Sequence, residues 1–344
     1  MLRRTFEKPI PANPVYGLLD PLEFVEKPIL GETPKYTLNT KNGRLPTTIP
    51  SMLPVFRFKP TAYSYLAGKN ATDDAANLGF TESDLITDLK GTIYKWRSLK
   101  SGGTLEIQIE SKELKLGTSL LSKSKEFPAG NLSPANAKSI AVNLFKSINR
   151  FDDGYYPSGS SNVYLGKFTP AAIVETQNFS EAQIARVDFF RNIDGKPILG
   201  PDPEKGLLHA YVKRPGEKSS LNNPVVEAYF WEINPDNKAT YPIITVDEAW
   251  GAVKLGKGVI SNITPKTFNH FGSYSAVRVE NILIDNIYLA YYETPKYQKF
   301  LQPIYVFEGK YTTRGSEGGY ITVYFPAITR DYTKQITETT TQNQ

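Results

Sequence analysis

Two histidines are the side chains of this sequence best suited to acid–base or metal chemistry. His209 lies in the strand-like run LLHAYV and His270 in the turn-like run FNHFG. Neither has a second ligand nearby in the sequence, as the common metal motifs do. We therefore expect packing or surface roles for both histidines, and no metal site.

Two pairs of adjacent carboxylates could serve as the acid and base of a hydrolase. Asp73 and Asp74 are better placed to favour the N-terminus of a helix, where the helix dipole attracts negative charge. Asp152 and Asp153 lie in a predicted loop and are expected to be solvated. Neither pair is predicted to be catalytic.

Three glycine-containing segments fall short of known binding loops. Asn192–Gly195 lacks the further ligands of a calcium loop, Gly256–Gly258 lacks the third glycine of a dinucleotide loop, and Gly315–Gly318 lacks the spacing of a nucleophile elbow. We predict turns at all three. The sequence thus predicts no catalytic, cofactor-binding or metal-binding residue, and no enzyme.

The composition argues against several classes of function. Lys and Arg total 40 against 35 Asp and Glu, and the net charge of +5 is spread along the chain without a basic run. We therefore expect no nucleic-acid partner. The absence of cysteine rules out disulfides and thiolate chemistry, and it fits a protein that works outside the reducing cytosol.

The chain contains no apolar run of about 18 residues that could span a bilayer. Its start, MLRRTFEKPIPANP, lacks the apolar core of a secretory signal. Its basic and proline residues resemble a stem that follows a membrane helix encoded upstream. We expect an extracytoplasmic, cell-envelope protein whose membrane attachment is an anchor outside this sequence.

A recurring unit of the chain would position any functional site. The unit consists of a short capped helix followed by antiparallel strands. The first helix is predicted over Asn70–Leu78. The second begins at the N-cap Ser133, and the third begins at Thr245, where Glu248 completes a capping box. The apolar stripe of the second helix must pack on a sheet. It consists of Ala137, Ile140, Ala141, Leu144, Phe145 and Ile148.

Period-two alternation predicts strands after each helix. They are Thr92–Ser98, Thr104–Glu110 and Leu114–Leu120; then Phe168–Glu175, Ala185–Ile193, Leu207–Lys213 and Val225–Ile233; and finally Val277–Ile282, Ile287–Tyr292, Gln302–Glu308 and Tyr320–Phe325.

Two rows of aromatic residues place large rings on both faces of their strands. The rows are Tyr229, Phe230, Trp231 and Tyr288, Tyr291, Tyr292. One interpretation is burial between a helix and a neighbouring unit, and the other is a sheet face that meets a protein partner.

These patterns divide the chain into an extended Pro-rich N-terminal arm, three α+β units and a disordered polar tail. The respective ranges are 1–60, 61–130, 131–242, 243–329 and 330–344. The predicted fold class is α+β, with each unit a helix packed on an antiparallel sheet.

The third unit resembles a known family of bacterial proteins. Its segments ITVDEAWGAVKLGKGVI, NIYLAYYETPKYQKFLQPIYVFEGK and GGYITVYFPAI are similar to the repeated extracytoplasmic module of sensor-kinase regulators of the YycH/YycI type, which are related in fold to PepSY domains. In that module a helix beginning Ser/Thr-x-x-Glu-Ala precedes an aromatic pair, a Leu-x-Pro-Val-Tyr-like strand and a final strand. The matching positions are Thr245, Glu248, Ala249, Tyr291, Tyr292, Leu301, Pro303, Tyr305, Phe307 and Gly309.

The resemblance extends over about Ser133 to Ala327, because the middle unit is similar through VDFFRNIDGKPI. The whole chain is also similar to uncharacterised single-pass surface proteins of environmental bacteria. The resemblance implies tandem PepSY-like units without a catalytic residue. The Pro-rich arm and the extra first unit depart from the family pattern.

The function that this resemblance implies is a noncatalytic extracytoplasmic binding or regulatory module of the cell envelope, which acts through contacts with a protein partner. One alternative is a structural subunit of a surface assembly, in which the arm or the tail adds a strand to a neighbour. A second is a hydrolase of envelope polymers, which would need two carboxylates to converge in a cleft.

Overall fold

The computed structural model describes residues 11–86, 91–99, 102–122, 127, 130, 132–152, 154–156, 160–214, 224–296, 298–314 and 316–335. Within these residues the fold is α+β and mostly sheet, as the sequence predicted in outline. None of the helices found there is both long and apolar enough to cross a membrane.

Three α-helices and two sheets make up this part of the chain. The helices are Tyr65–Asn77 (α1), Pro134–Ser147 (α2) and Val246–Lys254 (α3). The strands are Lys35–Leu38 (β1), Met52–Lys59 (β2), Ile93–Ser98 (β3), Gly103–Gln108 (β4), Leu114–Thr118 (β5), Ser161–Phe168 (β6), Ile173–Glu175 (β7), Ile184–Phe189 (β8), Asn192–Ile193 (β9), Lys196–Leu199 (β10), Leu208–Val212 (β11), Val225–Ala228 (β12), Glu232–Pro242 (β13), Val259–Pro265 (β14), Asn281–Tyr292 (β15), Phe300–Thr313 (β16) and Ser316–Pro326 (β17).

The first sheet has eight strands in the order β3-β4-β5-β12-β11-β8-β6-β7. All of its strand pairs are antiparallel. Helices α1 and α2 cover one face, where their alanines and Phe145 share a core with Trp96 and Phe189. The rings of Phe145 and Phe189 meet edge to face with centroids 5.9 Å apart.

The second sheet has nine strands. Its path is β13-β2-β16-β15-β10-β9, with β17 paired to both β16 and β14, and with β1 and β10 each paired in parallel to β15. Helix α3 packs on this sheet through Trp250, whose ring stacks on Phe307 at 6.0 Å.

The two sheets differ from the predicted arrangement of one antiparallel sheet per unit. Strands of the first and second predicted units share the eight-stranded sheet, because β5 pairs with β12. Strand β13, at the end of the second predicted unit, instead pairs with β2 in the nine-stranded sheet. The nine-stranded sheet is also not purely antiparallel, because β1 and β10 pair in parallel with β15.

Local capping signals placed two of the helix starts correctly. The hydroxyl of Ser133 accepts a hydrogen bond from Asn136 N at 3.2 Å, and Thr245 forms the predicted capping box with Glu248. The first helix begins at Tyr65, five residues before its predicted start, because Ser64 is its N-cap. Gly68 is required in that extra turn, since a Cβ there would lie 2.7 Å from the hydroxyl of Tyr94.

Several strand predictions need correction. The predicted strands Ala185–Ile193 and Val225–Ile233 are each divided between the two sheets. The passage before Phe168, predicted to be a loop, contains β6, and half of the predicted strand Phe168–Glu175 is the turn between β6 and β7. Strand β14 was not predicted at all. Its residues are buried on both faces, so it shows no alternation of apolar and polar residues.

The Pro-rich arm lies along the nine-stranded sheet. Lys35–Leu38 of the arm form β1, and the carbonyl of Glu23 accepts a hydrogen bond from the Tyr292 hydroxyl at 3.0 Å. The arm ends sooner than residue 60, because β2 lies inside the sheet between β13 and β16.

The start of the predicted disordered tail is also packed. Leu19 N donates to Tyr332 O and Lys334 N donates to Leu19 O, both at 2.8 Å. Residues 336–344 lie outside the described residues.

Candidate functional site

A row of alternating charges crosses the eight-stranded sheet on the face opposite α1 and α2. The antiparallel register makes successive members of the row direct cross-strand neighbours. From the edge inward they are Lys95, Glu106, Lys115, Glu227, His209 and Asp188. The row is exposed at Lys95 and fully buried at Asp188. Its two ends therefore offer different chemistry.

Asp188 lies at the buried end of the row and has three donors around it. Oδ1 lies 2.7 Å from Nδ1 of His209 and accepts from Gly206 N at 2.9 Å, while Oδ2 accepts from Arg186 Nε at 2.7 Å. Burial alone would raise the pKa of the Asp188 carboxyl. The opposing effect of His209 and Arg186 is larger, and it lowers the pKa below its usual value.

Arg186 connects this carboxylate to the second histidine. Its Nη1 donates to the His270 carbonyl at 2.7 Å, and its Nη2 donates to the Glu204 carbonyl at 3.0 Å. The His270 ring stacks on Tyr164 at 3.7 Å, and its Nδ1 lies 2.7 Å from Glu175 Oε1. The two histidines that the sequence left as separate residues thus belong to one cluster, which joins the eight-stranded sheet to the connection between β14 and β15.

The geometry of this cluster suits a structural role, in which Arg186 holds separate segments together. A carboxylate on Nδ1 orients an imidazole in many acid–base sites. Among the described residues, however, no hydroxyl hydrogen-bonds to His209, and no group of three His, Cys, Asp or Glu side chains could hold a metal. What the geometry does provide is a guanidinium whose three nitrogens bind three separate segments.

Sequence reasoning missed Arg186 and Asp188 because the partners are distant along the chain. Asp188 is 21 residues from His209, and Glu175 is 95 residues from His270. One signal was available: Asp188 stands between Val187 and Phe189 in a strand that is buried throughout. A carboxylate in such a strand requires a partner.

The exposed end of the row lies on the open face of β3, β4 and β5. Four outward side chains follow one another along the edge strand, and we call them the β3 stripe: Ile93, Lys95, Arg97 and Leu99. Ile93 is 37% exposed and Leu99 is 93% exposed. Lys95 pairs with Glu106 at 2.9 Å, whereas Arg97 has no carboxylate partner among the residues described. The stripe therefore presents apolar groups at both ends and positive charge between them.

The predicted acid pairs have separate roles. Asp73 is exposed and pairs with Lys69 at 3.5 Å, whereas Asp74 is buried and pairs with Arg150 at 3.1 Å. Both lie near the C-terminal end of α1, so the predicted helix-start role is wrong for both, because the helix begins earlier. Asp152 accepts a bond from Gly154 N at 2.8 Å in a turn, and Asp153 lies outside the described residues.

The first two glycine segments contain the predicted turns, whereas the described part of the third, Ser316–Gly318, lies in strand β17. Asp194 and Gly195 both have positive φ in the hairpin between β9 and β10. Gly256, with φ +72, follows the end of α3. Gly315 lies outside the described residues, and Gly318 packs on the Tyr311 ring within β17.

The aromatic rows are mostly core. Trp231, Tyr291 and Tyr292 are buried. Tyr291 packs with Phe56 in the core between the sheets, while Tyr292 on the other face lies against Phe24 of the arm at 4.8 Å. These three rings are buried as predicted, although their cores contain no helix residue, and they form no exposed face for a partner.

No family model and no curated protein matches this chain. A crystal structure of an uncharacterized protein from Eubacterium rectale is similar at a TM-score of 0.44 and 13% identity, and the match covers 81% of this chain and 85% of that chain. A likeness at this level assigns neither family nor function, so the resemblance to the YycH/YycI type stays a prediction.

Proposed function

We propose that this protein is a noncatalytic, extracytoplasmic binding or regulatory module of the bacterial cell envelope, which acts by contact with a protein partner. The proposal retains the tandem PepSY-like units that the sequence resemblance implies. It also retains attachment to the membrane through an anchor outside this sequence.

The observation that carries the proposal is the β3 stripe. Strand β3 is at the edge of the eight-stranded sheet, and an edge strand offers backbone groups to an added strand. Among the described residues, only Leu85 and Ile86 cover this edge, through the bridge from Leu85 to Trp96 and the bond from Ile86 N to Lys95 O. The exposed Leu99 beside Arg97, which pairs with no carboxylate in the described part of the chain, favours recognition.

The chemistry of the stripe defines the partner. Ile93 and Leu99 suit apolar side chains, and Arg97 suits a carboxylate between them. We propose that the partner presents an extended segment that is acidic in its middle and apolar at its ends.

The order of elements supports the PepSY-like description. Helix α1 precedes β3–β5, α2 precedes β6–β8, and α3 precedes β14–β17. Each helix thus leads into strands of the sheet on which it packs. This is the pattern that the sequence resemblance implies for repeated modules.

Site-specific crosslinking tests the proposal. A photoreactive residue at Arg97 is expected to give a discrete adduct with one envelope protein in cells that express the anchored protein. The matched control is Ser139, which is exposed on α2 on the opposite side of the same sheet. Leu99→Asp should weaken the Arg97 adduct because it places a charge at an apolar contact. Equal adducts at both positions, or none at Arg97, would refute this surface.

A structural subunit of a surface assembly is the second candidate, and β1 is the observation that favours it. This strand comes from the arm and already adds to a sheet edge, in parallel with β15. The same addition to a neighbouring copy would build an assembly. Sedimentation at rising concentration distinguishes the two, since only the assembly predicts growing particles of this chain alone.

A further inference from the structure

A pocket lies between α1, the end of α2 and the turn from β4 to β5, away from the β3 stripe's open face. Its volume is about 170 Å³. Ala67, Ala71, Ile107 and Ile109 give it apolar walls, and the exposed Asn70 stands at its rim. An engineered apolar cavity of similar size, about 150 Å³, holds a benzene molecule. The pocket therefore suits a molecule of roughly six to nine non-hydrogen atoms.

Two opposite charges are buried in this pocket. Asp74 and Arg150 are 3% and 4% exposed, and Arg150 Nη1 lies 3.1 Å from Asp74 Oδ2. Arg150 also donates from Nε to the Lys112 carbonyl at 2.9 Å and from Nη1 to the Ile148 carbonyl at 2.8 Å. These bonds hold the guanidinium in place.

One donor and one acceptor of this pair remain available. The described residues make no hydrogen bond with Arg150 Nη2 or with Asp74 Oδ1. Neither atom is among the fully buried atoms that lack a partner, such as Arg191 Nε. Both residues line the pocket. A ligand in it would therefore meet a positive donor and a negative acceptor side by side.

The backbone around the pocket is strained at two positions. Lys112 has φ +54 and Asn149 has φ +53, a region that non-glycine residues seldom occupy. Both residues line the pocket. Such strain tends to collect at ligand sites, and here it turns the Lys112 carbonyl toward Arg150 Nε, while the Lys112 ammonium group pairs with Glu232 at 3.3 Å.

We infer that this pocket binds the zwitterion of a small α-amino acid. The ligand carboxylate lies against Arg150 Nη2, the ammonium group lies against Asp74 Oδ1, and a short aliphatic side chain contacts the alanine and isoleucine walls. A zwitterion fits because its carboxylate and its ammonium group can bind the free donor of Arg150 and the free acceptor of Asp74 together, whereas a simple acid or amine can bind only one of them. This inference is independent of the proposed protein partner.

Calorimetric titration of the full chain with L-alanine, L-serine and L-valine tests it. We expect dissociation constants on the order of 1 mM, as suits so few atoms. Propionate and propylamine, which carry one charge each, should bind at least about 10-fold more weakly. Absence of binding by all three amino acids at about 10 mM, or equal binding of the single-charge analogues, would overturn the inference.

Matched variants locate the site. Asn70→Tyr should abolish binding by closing the rim, and Ala76→Tyr, at an exposed position of the same helix outside the pocket, should leave it unchanged. Asp74→Asn should weaken binding about 10-fold or more, while the exposed neighbour variant Asp73→Asn should not. Because Asn70 and Ala76 are both on the surface, this comparison stands even where Asp74→Asn disturbs folding. Equal binding by the two tyrosine variants would contradict the site.

Discussion

Asp188 is the residue on which the cluster of both histidines depends. Its side chain is 0% exposed and takes hydrogen bonds from Arg186 and Gly206 as well as contacting His209. Asp188→Ala would leave a buried guanidinium without its carboxylate, which typically destabilises a protein by about 3 to 5 kcal/mol. Urea denaturation at neutral pH measures this loss. Asp73→Asn is the control and should change the free energy of unfolding by less than about 0.5 kcal/mol.

The effect of Asp188 also has a defined pH dependence. Its pKa is lowered in the folded protein, so its stabilising contribution is present above the unfolded-state pKa of about 3.9 and is lost as the pH falls through the folded-state value. The difference in stability between wild type and Asp188→Ala should therefore shrink below about pH 4. A difference that stays constant from neutral pH to about pH 3 would contradict the ion pair.

Asp74 should show the opposite sign. Burial outweighs the attraction of Arg150 and raises its pKa to about 6. Between the unfolded-state pKa and this value the folded protein binds more protons, so ionisation of Asp74 lowers stability as the pH rises from about 4 to about 6. The expected loss is about 3 kcal/mol. Comparison of Asp74→Asn with Asp73→Asn over this pH range isolates it, and equal pH slopes in both variants would refute the assignment.

At the scale of the elements, α2 and α3 each bury one large aromatic residue. Phe145 on α2 is fully buried and Trp250 on α3 is 8% exposed. Replacing either by alanine should lower the free energy of unfolding by about 3 to 5 kcal/mol, because a cavity replaces the ring. Thermal or urea denaturation measures both, with Ser139→Ala on the exposed side of α2 as the control. Wild-type stability of either variant would show that the helix faces are wrongly placed.

At this scale, the sequence predicts the features that depend on residues close together in the chain. Ser133 and Thr245 cap their helices through hydrogen bonds to residues three positions away, so the sequence predicts both helix starts. The cluster around Asp188 is not predictable in this way, since its contacts join residues such as Arg186 and His270, which are 84 positions apart. No local pattern carries such a pairing.

At the scale of the whole molecule, the same limit explains why three predicted units form two sheets. The pairing of β12 with β5 and of β13 with β2 crosses the predicted boundaries. Strand pairing over such separations depends on the packing of the complete chain. The helix-then-strand order is local and was predicted, whereas the membership of each sheet was not.

A buried ion pair joins the two sheets, and it allows a test of whether the sheets unfold cooperatively. Arg191 follows β8 of the first sheet and Glu293 follows β15 of the second, and neither is exposed. Arg191 donates from Nη2 to Glu293 Oε2 and from Nη1 to the Trp231 carbonyl. These contacts predict that the sheets unfold together, with circular dichroism and tryptophan fluorescence giving one coincident transition.

Glu293→Gln should lower the stability of both sheets at once. The buried guanidinium then lacks a charged partner, which costs about 3 to 5 kcal/mol. The double variant Arg191→Met/Glu293→Leu should recover most of that loss, because apolar residues of similar volume replace a buried pair at little penalty. Urea denaturation followed by both probes measures these changes. Separate transitions in the wild-type protein would show that the sheets are independent, and a double variant as unstable as Glu293→Gln would show that the charges themselves hold the sheets together.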